Sequence, residues 1–319
     1  MTVTKAFRDD VRPYTMVGIE SDHMTVVEAQ QIWKRYGDRA VVKDVSFTVE
    51  PGEVLGMVGP NGAGKTTTIR MLLDIIQPDE GTVLLFGRPF SREHRALLGY
   101  LPEERGLYRD LRVQETLEYL GTLKGMRRSD ARRRAEEVLK RLDMTEHRSK
   151  KIAELSRGMG QLIQLAATMI HQPRLLILDE PFSGLDPLNV RLMKEVLGQM
   201  REDGVAIILS THQMNQVEEF CNKVLMINQG RVVLYGSLEE VRSGFGEGSI
   251  LVEATELPGT LPGVQKVNDH GTYQELVMAD DSSSKDVFRA LADREIEVRR
   301  FQVARLSLEE IFVRIVREE

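Results

Sequence analysis

The chain has 319 residues, 41% of them hydrophobic, enough to bury a sizeable core and to divide into two domains. A formal net charge of -6 gives no global push toward nucleic acid, and a single cysteine, Cys221, excludes an intrachain disulfide framework and fits a reducing compartment. The N-terminus lacks the apolar core of a secretory signal, and no apolar run reaches the roughly 18–20 residues that span a bilayer, so work at a membrane would go through a partner.

Residues 1–25 show no clear periodicity and are expected to form an extension, disordered or upstream of the fold. From Val26 the chain alternates as strands through VVEAQQIW and VVKDVSFTVE. VLGMVG, from Val54, is a short apolar run of the kind buried on both faces of a sheet. A Gly-rich segment follows, then a helical pattern TIRMLLDIIQ that Pro78 should stop, then the strand TVLLFG. Val113 to about Arg148 is helical, charged and amphipathic; its Arg-rich run reads as a solvated, salt-bridged face rather than a nucleic-acid patch. A helix should begin at LSRGMGQ, with Ser156 as its cap. LLILD and VAIILS are buried-type strands around a helix from about Asn189 to Glu202, and VLMIN and RVVLYG should form a hairpin turning at Gln229 and Gly230. Composition shifts at Ser243–Ser249, a candidate linker, after which strands and two helices, SKDVFRALADRE and SLEEIFVRIV, suggest a small α+β domain.

Two segments carry chemistry. Gly59–Thr66 (Gly59, Pro60, Asn61, Gly62, Ala63, Gly64, Lys65, Thr66) fits G-x-x-x-x-G-K-[ST] between an expected strand and an expected helix. Its glycines let backbone N–H groups wrap phosphates, Lys65 can reach the β- and γ-phosphates, and the Thr66 hydroxyl is placed for Mg²⁺. Leu175–Pro181 ends an apolar strand in two carboxylates, at the edge where α/β sheets bind ligands. Asp179 is positioned to hold Mg²⁺, and Glu180 to orient or deprotonate an attacking water.

The ordered set Tyr36, GPNGAGKTT, GYLPEERG, LSRGM, LLILDEP, SGLD and STH resembles the ATPase subunits of ABC transporters from about Val26 to Gly236. The C-terminal extension, GYLPEERGLY and LSRGMGQ are similar to the sodium-extruding and related exporters, whose ATPase pairs with a separate ABC-2-type permease. The resemblance implies an α/β P-loop NTPase fold: an ABC ATPase core over 26–242, with an antiparallel β-subdomain and an inserted helical subdomain at about 103–172, followed by an accessory α+β domain over 243–319. It implies ATP and Mg²⁺ as ligands. The nucleotide would be held by Gly59 through Thr67, the metal by Thr66, Asp179 and Glu103, and Glu180 and His212 would be catalytic. Tyr36 would stack on adenine, with a strand-end core aromatic as the alternative. Ser156 and Gly158 would meet the phosphate of a second cassette, and Asp186 would link the two sites across the interface.

By the same resemblance the partners are an ABC-2-type membrane permease and a second copy of the chain, or a second ABC ATPase, with no nucleic acid. The protein would be cytoplasmic and peripheral, at the inner face of the membrane through its permease. The alternatives weighed are a soluble ABC-type ATPase acting on nucleic acid or the ribosome, and a nucleotide-binding module without catalysis. Two positions depart from the family's usual pattern. Glu103 stands where a glutamine is usual, and LSRGM replaces LSGGQ, so that Arg157 replaces a glycine and Met159 a glutamine. Arg157 would either add positive charge beside the nucleotide or point outward.

Overall fold

The computed structural model describes residues 25–318, except 105, 246, 255, 280 and 281. The expected N-terminal extension, apart from Thr25, lies outside the described residues. The chain forms two compact units: the first holds residues up to His212 and Phe220–Val232, the second holds Gln213–Glu219 and Val233 onward.

In the first unit, β1 (Val27–Tyr36) and β2 (Arg39–Val49) pair antiparallel. After β3 (Val54–Val58), β4 (Glu80–Leu85) and β5 (Arg88–Pro89) extend that sheet to the order β2-β1-β4-β5. A second sheet joins β3 to β6 (Leu98–Leu101), β7 (Leu175–Asp179), β8 (Ala206–Thr211), β9 (Lys223–Asn228) and β10 (Arg231–Ser237), in the order β10-β9-β3-β8-β7-β6. Strands β3, β7 and β8 are buried at every residue and pair in parallel, which explains their unbroken apolar runs. Parallel pairing also brings the C-terminal ends of β3, β7 and β8 to one edge, where the motif loops begin.

Helix α1 (Lys65–Leu72) is shorter than the sequence pattern suggests. Asp74 adopts φ +57, and the Ile75 and Ile76 N–H groups both turn back to the Arg70 carbonyl, so the helix closes on a left-handed residue before Pro78 is reached. Helices α2 (Val113–Leu123), α3 (Arg128–Arg141) and α4 (Arg157–Met169) pack on one another. In α3, Ala131, Ala135, Val138 and Leu139 form the buried stripe, while Arg127–Asp130 and Arg133–Glu137 pairs occupy the exposed face. Helix α5 (Pro187–Glu202) has Pro187 at its first position, where the missing N–H costs nothing. Cys221 is buried, and burial pushes its thiol up to about 12, so it acts as a small apolar residue.

The second unit contains most of α6 (Met214–Phe220), then α7 (Leu238–Gly244), β11 (Glu247–Ala254), β12 (Val264–Asp269), β13 (Gln274–Met278), α8 (Ser284–Ala292), β14 (Val298–Arg305) and α9 (Leu308–Glu318). Its antiparallel sheet runs β12-β13-β11-β14, and Ile250, Val252, Leu276 and Met278 pack against Val287 and Leu291 of α8. Glu218 ties α6 into this unit, accepting from the Leu308 N–H at 2.8 Å and from Arg242 at 3.0 Å. The compositional shift at Ser243–Ser249 falls on the end of α7 and the start of β11. No helix among the described residues is long and apolar enough to cross a membrane.

Candidate nucleotide site

The loop between β3 and α1 is shaped by glycines, two of them at positions where a Cβ would collide with backbone. Gly64 adopts φ +114, and a Cβ there would lie 2.8 Å from the Val41 carbonyl oxygen; a Cβ at Gly59 would lie 2.1 Å from the Ile227 oxygen. Lys65 folds back over the loop and donates to the Gly59 and Pro60 carbonyls at 2.7 and 3.2 Å. Burial lowers the Lys65 pKa; the charges of Glu180, Asp179 and Glu103 work against that shift and favour the ammonium. Asn61 and Gly62 are exposed, Ala63 is buried, and Thr66 and Thr67 are half-buried in the first turn of α1, whose N–H groups have no intrahelical partner.

Asp179, at the end of β7, is 3% exposed. Burial raises its pKa, partly offset by the Ser210 hydroxyl, Thr66 and Lys65, while Glu180 adds to the rise. The Thr66 hydroxyl lies 3.4 Å from its Oδ2. A buried carboxylate beside a hydroxyl is the hard-oxygen pair that suits Mg²⁺ together with phosphate oxygens and water, and a cation there would offset the burial cost. The residues therefore fit the ion. Glu103, in the exposed loop after β6, is near enough for its charge to act on Lys65.

Glu180 is gripped from β8. Its backbone has φ +48, and its N–H donates to the Ser210 carbonyl at 2.9 Å. Its Oε1 accepts from the His212 N–H at 2.9 Å and from His212 Nδ1 at 2.7 Å, while Oε2 accepts from the Thr211 hydroxyl at 3.1 Å. An ionised carboxylate only accepts, so this contact puts the ring proton on Nδ1 of His212.

Ser156 caps α4, accepting from the Met159 N–H at 3.3 Å. Gly158 is buried, and a Cβ there would come within 3.0 Å of Asn189 Nδ2 and 3.7 Å of Asp186 Oδ2. Asp186 in turn caps α5, accepting from the Leu188 and Asn189 N–H groups at 3.1 Å, and the Asn189 hydrogen bond leads the causes that lower its pKa. Gly158 and Asp186 thus sit together. Tyr36 ends β1 at 50% exposure, so it is not a core aromatic.

Sequence reasoning gave no role to four contributors. Thr211 holds Glu180 from the strand that also carries His212. Gln161 and Gln164 of α4 are buried, and donate to the Pro181 and Glu104 carbonyls at 3.3 Å each, joining α4 to the Glu180 turn and to the Glu103 loop. Gly230 backs the phosphate loop: its N–H donates to the Ala63 carbonyl at 2.9 Å, its carbonyl accepts from Lys43 at 2.8 Å, and a Cβ there would lie 2.5 Å from the Val41 oxygen. The only available signal was its place in a two-residue turn.

Gly230→Ala is therefore expected to weaken ATP binding about tenfold, because the methyl must push Val41 and the loop apart. Gly204→Ala is the matched control. It has nearly the same φ, +86 against +84, and open space around the position. Isothermal titration should show unchanged affinity for Gly204→Ala and reduced affinity for Gly230→Ala; equal affinities would remove Gly230 from the site.

A phosphate loop opening a helix at the edge of a parallel sheet, beside a strand ending in Asp-Glu, defines a P-loop NTPase. A family model described as ABC transporter matches residues 42–183, and one described as the C-terminal domain of DrrA1-3-like ATP-binding proteins matches residues 236–316. The chain is 36% identical over 295 residues to the uncharacterised ABC transporter ATP-binding protein YhaQ of Bacillus subtilis, covering 92% of this chain and 96% of the relative. It is 33% identical over 298 residues to Nod factor export ATP-binding protein I of Paraburkholderia xenovorans, covering 85% of this chain and 98% of that one. A solved ATP-binding subunit of an ABC transporter superposes with a TM-score of 0.65 at 31% identity, covering 70% of this chain and 94% of that chain. The chain belongs to the ATP-binding subunits of ABC transporters, the ATPases that drive these systems.

Proposed function

We propose that this subunit hydrolyses ATP as a head-to-tail dimer and drives export through a separate ABC-2-type permease, at the inner face of the membrane. The observation that carries hydrolysis is the grip on Glu180. A carboxylate has about four acceptor positions, and three donors occupy three of them. The remaining position, on Oε2, would accept the proton of an attacking water. Lys65 and the N–H groups of the loop would hold the β- and γ-phosphates, and Tyr36 would stack on adenine. His212, with one ring proton on Nδ1 turned to Glu180, would present Nε2 to the γ-phosphate and would donate to it there as the imidazolium, the form in which both ring nitrogens carry a proton. Thr66 and Asp179, with Glu103 as a further ligand, would hold Mg²⁺, which supplies positive charge to the phosphate oxygens when bound.

Ser156 and Gly158, at the N-terminus of α4, would receive the γ-phosphate of a second subunit, and Asp186 would lie at that interface. ATP would favour the closed dimer because only its γ-phosphate touches both subunits. Export is supported by the similarity to Nod factor export ATP-binding protein I.

The dimer is tested by light scattering in MgATP on a Glu180→Gln background. The mass is expected to double, whereas adding Ser156→Arg should keep the protein monomeric with nucleotide affinity within about threefold of the parent. A dimer in the second case would overturn the head-to-tail arrangement. Affinity purification from detergent-solubilised membranes is expected to recover a polytopic permease; recovery of ribosomes or DNA instead would favour a soluble ABC-type ATPase.

A further inference from the structure

Arg157 sits at the first position of α4, where the resembling family usually carries glycine, and it is exposed. A Cβ placed on Gly184 would lie 3.3 Å from Arg157 Cδ and 3.6 Å from both Nε and Nη1. The end of the aliphatic stem and part of the guanidinium therefore lie on the side of Gly184 where a Cβ would project, at an exposed position of the turn. Gly184 has φ +70, so the position suits glycine on two counts, backbone conformation and the space the arginine occupies.

Gly184 belongs to the turn that leaves the candidate catalytic glutamate. The Ser183 N–H donates to the Glu180 carbonyl at 3.1 Å, and the Leu185 N–H to the Phe182 carbonyl at 3.3 Å. One helical turn along α4, the buried Gln161 reaches the same turn at the Pro181 carbonyl. Gly158 between them fits against Leu185, Asp186 and Asn189. Three residues in the first turns of α4, Arg157, Gly158 and Gln161, thus lie against residues 181–189 of the same chain.

We infer that Arg157 is a positioning residue for hydrolysis: it covers the turn at Gly184 and so fixes the backbone from which Glu180 projects. Glu180 holds a left-handed φ of +48, a conformation that persists only where its surroundings enforce it. The side-chain grip from Thr211 and His212 fixes one end of the residue, and the 180–185 turn fixes the other. The inference rests on the reading of Glu180 as the base and of α4 as the face offered to a second subunit. Granted that reading, contact of α4 with the other subunit's phosphate would be transmitted through Arg157 and Gln161 to the chain's own glutamate.

The test compares Arg157→Ala, Arg157→Lys and wild type in steady-state ATP hydrolysis. Arg157→Ala is expected to lower kcat about tenfold, since small misplacements of a reacting group are costly. Its KM should stay within about twofold, because the loop that grips the phosphates is untouched. Arg157→Lys keeps the aliphatic stem over Gly184 and is expected to recover kcat to within about threefold of wild type. A raised KM with unchanged kcat would instead make Arg157 a direct phosphate ligand and overturn the inference. So would wild-type kcat in Arg157→Ala, or a loss that lysine does not rescue. Glu180→Gln, run alongside, separates the two levels: if it still hydrolyses ATP, the reading of the site fails; if it is inactive while Arg157→Ala is normal, only the positioning role fails.

Discussion

Glu180→Gln is expected to bind MgATP within about threefold of wild type and to lose about 10²–10⁴-fold in kcat, the usual range for removing a general base. The geometry explains why binding should survive. With its oxygen at the Oε1 position, glutamine still accepts both donors of His212, the N–H and Nδ1. Its amide nitrogen then faces Thr211, whose hydroxyl can rotate from donor to acceptor. The local network persists with its sense reversed at one bond, so the β7–β8 edge should keep its shape. What disappears is the fourth acceptor position on Oε2, and with it the group that takes a proton from water. Single-turnover hydrolysis measured beside nucleotide titration separates the two quantities. Retention of more than about a tenth of wild-type turnover would falsify the assignment of Glu180 as base.

The parts of the site that were legible in the sequence are those whose chemistry is local. The phosphate loop is readable because a backbone that turns at φ +78 and +114 within three residues admits glycine at Gly62 and Gly64, and because Lys65 must follow at once to fold back on Gly59. The buried strands are readable because a strand covered on both faces has no polar positions to interrupt it. Thr211 lies inside the STH motif, but its hold on Glu180 was not legible, since a threonine at the end of an apolar strand looks like an ordinary β-former until β8 is placed beside β7. Gly230 read as a hairpin turn, which it is; its second role depends on the approach of β2 and the phosphate loop from 167 to 189 residues away, as the Val41 and Ala63 contacts fix. The end of α1 was misplaced because Pro78 is a visible stop and Asp74 is not. Aspartate tolerates a left-handed conformation, but composition alone does not say where it takes one. Of the two readings of Arg157, the outward one agrees with its exposure; its contact with Gly184, a glycine that follows it by 27 residues, was not legible.

Lys65→Met is expected to cost about 1.5–3 kcal/mol of ATP binding, roughly a tenfold to hundredfold loss, the worth of a hydrogen bond from a charged donor. Methionine fills most of the buried space, so the fold loses little volume. It removes the ammonium that donates to Gly59 and Pro60, and with it a positive charge that interacts with Asp179, Glu180 and Glu103. Folding gains from no longer burying a charge and loses from leaving two carbonyls short of a donor, so the two contributions oppose each other and the melting temperature should move by only a few degrees. Binding has no such compensation, because a triphosphate entering the loop brings further negative charge beside Asp179, Glu180 and Glu103 with the Lys65 ammonium gone. ADP should suffer less than ATP if Lys65 reaches the γ-phosphate, and equally if it reaches only the β-phosphate. Titration of both nucleotides, with thermal melts of the same samples, gives the two answers together. Undiminished affinity for both would show that this loop is not the phosphate grip.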